Sequence, residues 1–185
     1  MKLNLTSYIR ENTAAADTRT TIIQLNDMYD PFATTAPNTQ PNGFDQMMAI
    51  YSTFYVYGTL VKISFLNNDD TSGTAINIYA SNDSTDISGD FQRLGCQYQN
   101  SHFMLTPENG GNPTRNFKKY YKIRDYLPND DIVDLSGTSG SSPASPVDLM
   151  INFRNLEGIA KTDVSMQVQL IFYCVLSNPT LQPGS

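Results

Sequence analysis

Apolar and polar side chains alternate along most of this chain, which is the pattern of β-strands that bury one face. The alternation is clearest from Val164 to Leu176, where every second residue is apolar. Segments rich in Gly, Pro, Asn and Ser separate the alternating stretches and indicate turns and loops. The pattern predicts eight strands, over residues 2–9, 20–25, 55–66, 74–80, 101–105, 117–124, 147–154 and 164–176.

One segment has a helical period instead. Phe44, Met47, Met48 and Tyr51 are spaced i, i+3, i+4 and i+7, so they would share one face of a helix. Asp45 would lie in the first turn, where the helix dipole favours a negative charge. The spacing therefore predicts one short helix near residues 44–54.

Eight short strands, long loops and one small helix describe an all-β sandwich, and the eight-stranded jelly roll fits this description best. An immunoglobulin-like sandwich stays open, although the chain has no Trp for the Cys–Trp–Cys core of that fold. The length of 185 residues suits one domain, which we expect over residues 1–177, with 178–185 as a flexible C-terminal tail. In the third strand, alternation predicts that Tyr55, Tyr57, Val61, Ile63 and Phe65 lie on one side.

Residues for catalysis or metal binding are sparse. The one histidine, His102, has no carboxylate beside it in sequence, and one His cannot form a multi-histidine metal site. No phosphate-binding loop or nucleophile motif appears. The runs Asn67–Asp70 and Asn129–Asp131 could supply oxygen ligands for calcium, but turns that follow strands also collect Asn and Asp. We therefore expect no enzyme activity, no cofactor and no metal, and a buried structural role for Cys174. No stretch reaches the ~20 apolar residues of a membrane span.

The chain is acidic, with a net charge of −6, which argues against a dedicated nucleic-acid-binding protein. It nevertheless contains a basic cluster, because five of its twelve Lys and Arg residues lie within ten positions that hold no acid. Aromatic residues are interleaved with these cations, as on surfaces that bind single-stranded nucleic acid, although a lysine-protected edge strand explains the pattern equally well. Alternation places Phe117, Lys119, Tyr121 and Ile123 on a buried face. The candidate nucleic-acid-binding residues are Arg115, Lys118, Tyr120, Lys122 and Arg124.

Two motifs carry a family resemblance. They are Leu25-Asn26-Asp27-Met28-Tyr29-Asp30-Pro31 and Gln40-Pro41-Asn42-Gly43-Phe44-Asp45-Gln46, followed by Tyr51, Phe54, Val56-Tyr57-Gly58 and Lys62. This order resembles the capsid proteins of small circular Rep-encoding single-stranded DNA viruses, the circovirus-like group. The order of later elements is also similar, but the arginine-rich arm with which that family usually begins is not present in the first thirty residues.

The resemblance implies a single jelly roll with two sheets, BIDG and CHEF, in a structural subunit that self-assembles. The homo-oligomer would be a small icosahedral shell of roughly 60 copies around a single-stranded DNA genome, closed by symmetry-related contacts. The basic strand would be strand G, partly facing the shell interior, and the protein would be found in the virion after assembly in the host nucleus. We expect the loop 26–42 at a subunit contact, through Tyr29, Asp30, Pro31 and Phe32. The alternative is a β-sandwich module that binds carbohydrate through its Tyr-rich loops.

Overall fold

The computed structural model describes residues 1–13, 19–32, 39–82, 100–129, 131–156 and 162–179, and strands make up most of this part of the chain. None of its helices is long or apolar enough to cross a membrane. The elements in chain order are β1 (Lys2–Thr13), β2 (Arg19–Gln24), α1 (Phe44–Met48), β3 (Tyr51–Asn67), β4 (Thr74–Ser81), β5 (Ser101–Leu105), β6 (Thr114–Lys122), the 3-10 helix η1 (Ile123–Asp125), β7 (Ser136–Thr138), β8 (Asp148–Asn155) and β9 (Thr162–Pro179).

The strands form two antiparallel sheets that pack face to face. One has the order β1-β9-β3-β6, with the short strand β7 added to one end of β3, and the other has the order β2-β8-β4-β5. When the eight longer strands are lettered B to I in chain order, these orders read B-I-D-G and C-H-E-F. The predicted jelly roll is therefore confirmed by the strand order itself. We use the names BIDG sheet and CHEF sheet below, and the outer face of either sheet is the side away from the core.

The core lies between the two sheets, and β9 crosses its centre. The residues Val164, Met166, Val168, Leu170, Phe172 and Cys174 of this strand are all fully buried, as the alternation predicted. Aromatic rings from both sheets meet edge to face, for example Phe65 of β3 and Phe153 of β8, whose centroids are 6.3 Å apart. Burial also raises the pKa of the Cys174 thiol, in keeping with a packing role.

All eight predicted strands are present, but the predicted helix is wrong in its second half. Helix α1 ends at Met48, and Tyr51 already belongs to β3, where it pairs with Pro179 of β9. Phe54 points into the core from that strand and packs edge to face on Phe44, with centroids 5.6 Å apart. An apolar residue ten positions after Phe44 fits a continued helix and a following strand equally well, so spacing alone did not fix the boundary.

Strand β3 contains a bulge that shifts its alternation. Its pairing with β9 skips one residue between Val56 and Gly58, which leaves Tyr57 as the extra residue. Phe54 and Val56 are buried before the bulge, whereas Val61, Ile63 and Phe65 are buried after it. Tyr57 is 40% exposed whereas Val61 is fully buried, so the prediction that the two lie on one side of the strand is wrong. The residue after the bulge, Gly58, has no side chain, and a Cβ at this position would collide with the Tyr120 hydroxyl of the neighbouring strand.

The last strand extends past residue 177, the predicted end of the domain. Strand β9 continues through Asn178 and Pro179, and the Asn178 side chain donates a hydrogen bond to Thr53 Oγ1 at 3.3 Å. Residues 180–185 lie outside the described part of the chain, and so does Cys96.

Candidate functional site: the outer face of the BIDG sheet

The outer face of the BIDG sheet gathers cations from three of its four long strands. In β1, Lys2 and Arg10 alternate with the buried residues Leu3, Leu5 and Ile9, so both point away from the core. The same alternation places Lys62 of β3 and Lys118 and Lys122 of β6 on this face. Among the described outer-face residues of all four long strands, the only acid is Asp163 of β9. An acidic chain therefore presents one strongly basic face.

Two of these lysines lie directly opposite each other. The register pairs Lys62 of β3 with Lys118 of β6, and like charges in facing positions of a sheet destabilise the fold. Lys62 Nζ donates a hydrogen bond to Gln169 Oε1 at 3.2 Å, and within the described residues neither lysine forms an ion pair. A bound anion would remove this repulsion.

Arg10 and Lys122 on the same face are partly compensated by acids. The Arg10 guanidinium donates two hydrogen bonds to the Asp163 carboxylate, at 2.9 and 2.6 Å. Lys122 Nζ lies 3.7 Å from the carboxylate of Asp125, a weak and exposed pair. Within the described residues, Lys2, Lys62 and Lys118 form no ion pair, and Lys62 and Lys118 lie opposite each other.

Three tyrosines form an aromatic cluster beside these lysines. The ring centroids of Tyr120 and Tyr173 are 5.8 Å apart, and those of Tyr57 and Tyr173 are 6.3 Å apart. Tyr120 is 48% exposed, and the register places Lys122 and Lys2 beside the cluster. Exposed aromatic rings flanked by cations can stack on nucleic-acid bases while the cations contact phosphates.

The structure separates the five candidate nucleic-acid-binding residues into two groups. Lys118, Tyr120 and Lys122 lie together on the outer face, as predicted. Arg124 does not extend this row, because β6 ends at Lys122 and Arg124 belongs to η1. Arg115 is exposed, but it points the other way, with its guanidinium carbon 5.9 Å from the ring centroid of Phe103 in the CHEF sheet.

The predicted buried face of β6 is confirmed. Phe117, Tyr121 and Ile123 are buried, and Lys119 is half-buried with its Nζ 5.1 Å from the ring centroid of Tyr121. Burial lowers the pKa of Lys119 and raises that of Tyr121, because both charged forms lose hydration there. Lys119 is therefore a poor candidate for contact with a phosphate.

Sequence reasoning missed the cations and rings that other strands bring to the same face. Lys2 of β1, Tyr57 and Lys62 of β3, and Tyr173 of β9 come from three strands that are distant in sequence and meet only through the sheet register. The alternation of β1 and β9 gives the correct face for Lys2 and Tyr173. It does not show which strands are neighbours.

The first family-like motif is fixed to the loop that precedes β8. Asn26 is fully buried; its Nδ2 donates to the Ser145 carbonyl at 2.9 Å, and its Oδ1 accepts from the Val147 N–H at 2.8 Å. The Thr59 hydroxyl donates to the Leu25 carbonyl at 2.5 Å and so ties the motif to β3. We call Asn26 together with the Ser145 carbonyl and the Val147 N–H the Asn26 clamp.

Asp27 stabilises the turn that follows the Asn26 clamp. Its Oδ1 accepts a hydrogen bond from the Tyr29 N–H at 2.8 Å. The carboxyl is fully buried, and burial raises its pKa, while hydrogen bonds from the Ser142 hydroxyl and the Tyr29 and Asp30 N–H groups oppose that shift. Asn26 and Asp27 of the motif thus each have a structural role.

The four predicted contact residues of this loop differ in exposure. Tyr29 and Asp30 are half-buried and remain candidates for a subunit contact. Pro31 is buried and Phe32 is 0% exposed, because Phe32 belongs to the hydrophobic core of the subunit. As the chain is folded, Phe32 cannot serve as a surface anchor. Residues 33–38 of the loop lie outside the described residues.

The first acidic run is a turn. Asp69 Oδ1 accepts hydrogen bonds from the N–H groups of Thr71 and Ser72, at 2.8 and 3.0 Å, and from the Thr71 hydroxyl at 2.8 Å. In the second run, Asp130 lies outside the described residues. Across the part of the chain that the structure describes, no group of three or more His, Cys, Asp or Glu side chains could hold a metal ion.

No protein-family model matches the chain, and no curated protein matches it in sequence. Several solved virus structures are similar in fold. A structure of Desmodium yellow mottle tymovirus is 12% identical, with a TM-score of 0.49, over 100% of this chain and 91% of that chain. Sacbrood virus of honeybee is 14% identical, with a TM-score of 0.48, over 97% and 86%. The empty head of turnip yellow mosaic virus is 7% identical, with a TM-score of 0.48, over 98% and 83%. Because these three TM-scores are below 0.5 and the identities are 14% or less, the similarities support no inference about function.

Proposed function

We propose that this chain is a structural capsid subunit that self-assembles into a small icosahedral shell around a single-stranded DNA genome. The observation that carries the proposal is the family-like motif segment, residues 25–62, in its place within a jelly roll. Its Leu25-Asn26-Asp27 part is fixed to the loop before β8 by the Asn26 clamp, and its Val56-Tyr57-Gly58 part forms the β3 bulge. The motifs that resemble circovirus-like capsid proteins therefore have specific structural roles in this fold.

In the proposed shell, the outer face of the BIDG sheet is directed towards the genome. Lys2, Lys62 and Lys118 supply positive charge on that face, while the chain as a whole carries −6. Tyr57, Tyr120 and Tyr173 supply rings that can stack on unpaired bases. Single-stranded nucleic acid can contact both the lysines and the rings, since it offers phosphates and exposed bases along one strand.

The remaining parts of the proposal follow from the resemblance. The shell holds roughly 60 copies and closes through symmetry-related contacts, to which Tyr29 and Asp30 contribute. The protein resides in the virion and assembles in the host nucleus. No enzyme activity, cofactor or membrane is needed for this role.

Sizing and electron microscopy of the purified protein test the proposal. Roughly 60 copies of a 20.6 kDa chain form a particle of about 1.2 MDa, which negative-stain images would show as closed shells. Absorbance spectra of the particles report how much nucleic acid they contain. A stable 20.6 kDa monomer under all assembly conditions would contradict the proposal and favour the alternative, a carbohydrate-binding β-sandwich module.

A further inference from the structure

Two adjoining depressions cross the outer face of the BIDG sheet. The first has a volume of about 240 Å³ and is lined by Thr6, Lys62, Ser64, Gln167 and Gln169. The second has a volume of about 280 Å³, shares Ser64 and Gln167 with the first, and adds Tyr8 and Asn116 among its lining residues. We call the two together the amide groove, after Asn116, Gln167 and Gln169.

The sheet register explains why the groove lies at this place. One row across the four strands is Tyr8, Gln167, Ser64 and Asn116, and the next row is Thr6, Gln169, Lys62 and Lys118. Ser64 is the smallest side chain of its row and lies between the two amides, which leaves a hollow above β3. Each depression is smaller than the roughly 300–1,000 Å³ of drug-sized sites, so the groove suits a small flat group.

The groove is lined by hydrogen-bonding groups of both kinds. Each of its amide side chains presents a carbonyl acceptor and two N–H donors, the combination that pairs with the edge of a nucleobase. Gln169 Oε1 already accepts from Lys62 Nζ at 3.2 Å, which leaves its N–H groups for a ligand. The groove can therefore recognise a base edge as well as a charge.

Tyr8 adds a fixed aromatic ring at the β1 end. Its hydroxyl donates to Ser165 Oγ at 2.8 Å, so one end of the ring is anchored to β9. The residue is nevertheless 68% exposed. An anchored ring with an exposed face is suited to stacking on a base, since little conformational freedom is lost on binding.

We propose that the amide groove is a nucleotide subsite, in which Lys62 and Lys118 contact a phosphate, Tyr8 stacks on the base, and Gln167 and Asn116 hydrogen-bond its edge. This inference rests on the proposed function, in which this face meets the genome. It goes further in one respect: the amide groove reads the hydrogen-bonding edge of a base, whereas the tyrosine cluster of the proposed function can only stack on its face. The repulsion between Lys62 and Lys118, which destabilises the sheet in the free protein, is reduced when the phosphate binds.

The experiment measures binding of fluorescent homopolymeric oligonucleotides of one length, by anisotropy, to subunits kept unassembled and checked by sedimentation. The probes are oligomers of deoxythymidine, deoxyadenosine and deoxycytidine, an abasic oligomer with the same number of phosphates, and a neutral oligosaccharide. The test variant replaces both Gln167 and Asn116 with Ala. The matched control is Asn12→Ala, an exposed amide of β1 that does not line the groove.

We expect the double variant to bind at least one base-containing oligomer about tenfold more weakly, the effect of two lost neutral hydrogen bonds. Its affinity for the abasic oligomer should not change, and the Asn12→Ala protein should match the parent throughout. Equal affinity of the double variant and the parent for every base-containing oligomer would overturn the nucleotide subsite but leave the proposed function intact. Failure of every oligomer to bind at low salt would contradict the genome contact itself. Saturable binding of the oligosaccharide, abolished in the double variant, would assign the groove to carbohydrate and overturn the inference.

Discussion

Replacement of Asn26 by Ala should destabilise the subunit by about 2–4 kcal/mol, because it removes both side-chain hydrogen bonds of the Asn26 clamp. Val147 is fully buried, so loss of the Asn26 acceptor leaves its N–H without a partner, which costs about 1–3 kcal/mol. Ser145 is only half-buried, and water can replace the lost donor at its carbonyl. We therefore assign the smaller part of the loss, about 1 kcal/mol, to that bond.

Urea unfolding followed by far-ultraviolet circular dichroism measures this loss directly, provided that the m-value is unchanged. Asn12→Ala serves as the control, because Asn12 is exposed in β1 and its removal should change stability by less than about 0.5 kcal/mol. We also expect Asn26→Ala protein to assemble poorly, since the motif segment is no longer fixed to the loop before β8. A loss below about 1 kcal/mol would show that the Asn26 clamp contributes little and that the motif's polar residues need another explanation.

Three further predictions concern the core, a buried acid and the basic face. Phe172→Ala should cost about 3–5 kcal/mol in urea unfolding, because Phe172 is fully buried between the sheets; a loss under about 1 kcal/mol would mean that the faces of β9 are misassigned. Burial raises the pKa of Asp148 above its ordinary 3.8, against a hydrogen bond from Gln24, so its charged form destabilises the fold at neutral pH. Asp148→Asn should therefore raise stability at neutral pH, and the gain should vanish as the pH falls through the raised pKa towards 3.8; a gain that does not depend on pH would refute the reasoning. Changing Lys62 and Lys118 to Gln should lower the nucleic-acid content of particles and the salt dependence of binding, while Arg115→Gln, which lies off this face, should not; equal effects would contradict the assignment of the face.

The strands and their buried faces could be predicted because one physical rule governs both. A strand between water and a core must alternate, and in β9 every second residue from Val164 to Cys174 is apolar and fully buried. The same rule failed at Tyr57, since an inserted residue shifts the phase and only the partner strand reveals it. It failed again at Arg124, where a 3-10 turn replaced the strand.

The candidate site could be predicted only in part, and the reason differs from that for the strands. Lys118, Tyr120 and Lys122 belong to one strand, so local sequence brings them together. Lys62 and Gln169 come from strands that are distant in sequence, and their proximity depends on a register that a single sequence does not provide. The lysine pair and the amide groove therefore cannot be predicted without knowledge of the sheet order.

The position of β9 has a consequence for how the subunit forms. The last described strand lies between β1 and β3, so the BIDG sheet has an open gap at its centre until residues 162–179 have left the ribosome. At roughly 5–20 residues per second, translation leaves the unpaired inner edges of β1 and β3 exposed for several seconds. Contacts of such long sequence separation also form slowly, and unpaired strand edges promote aggregation during this interval. The arrangement excludes incomplete chains from the native fold, since a subunit without β9 has neither a continuous sheet nor the centre of its core.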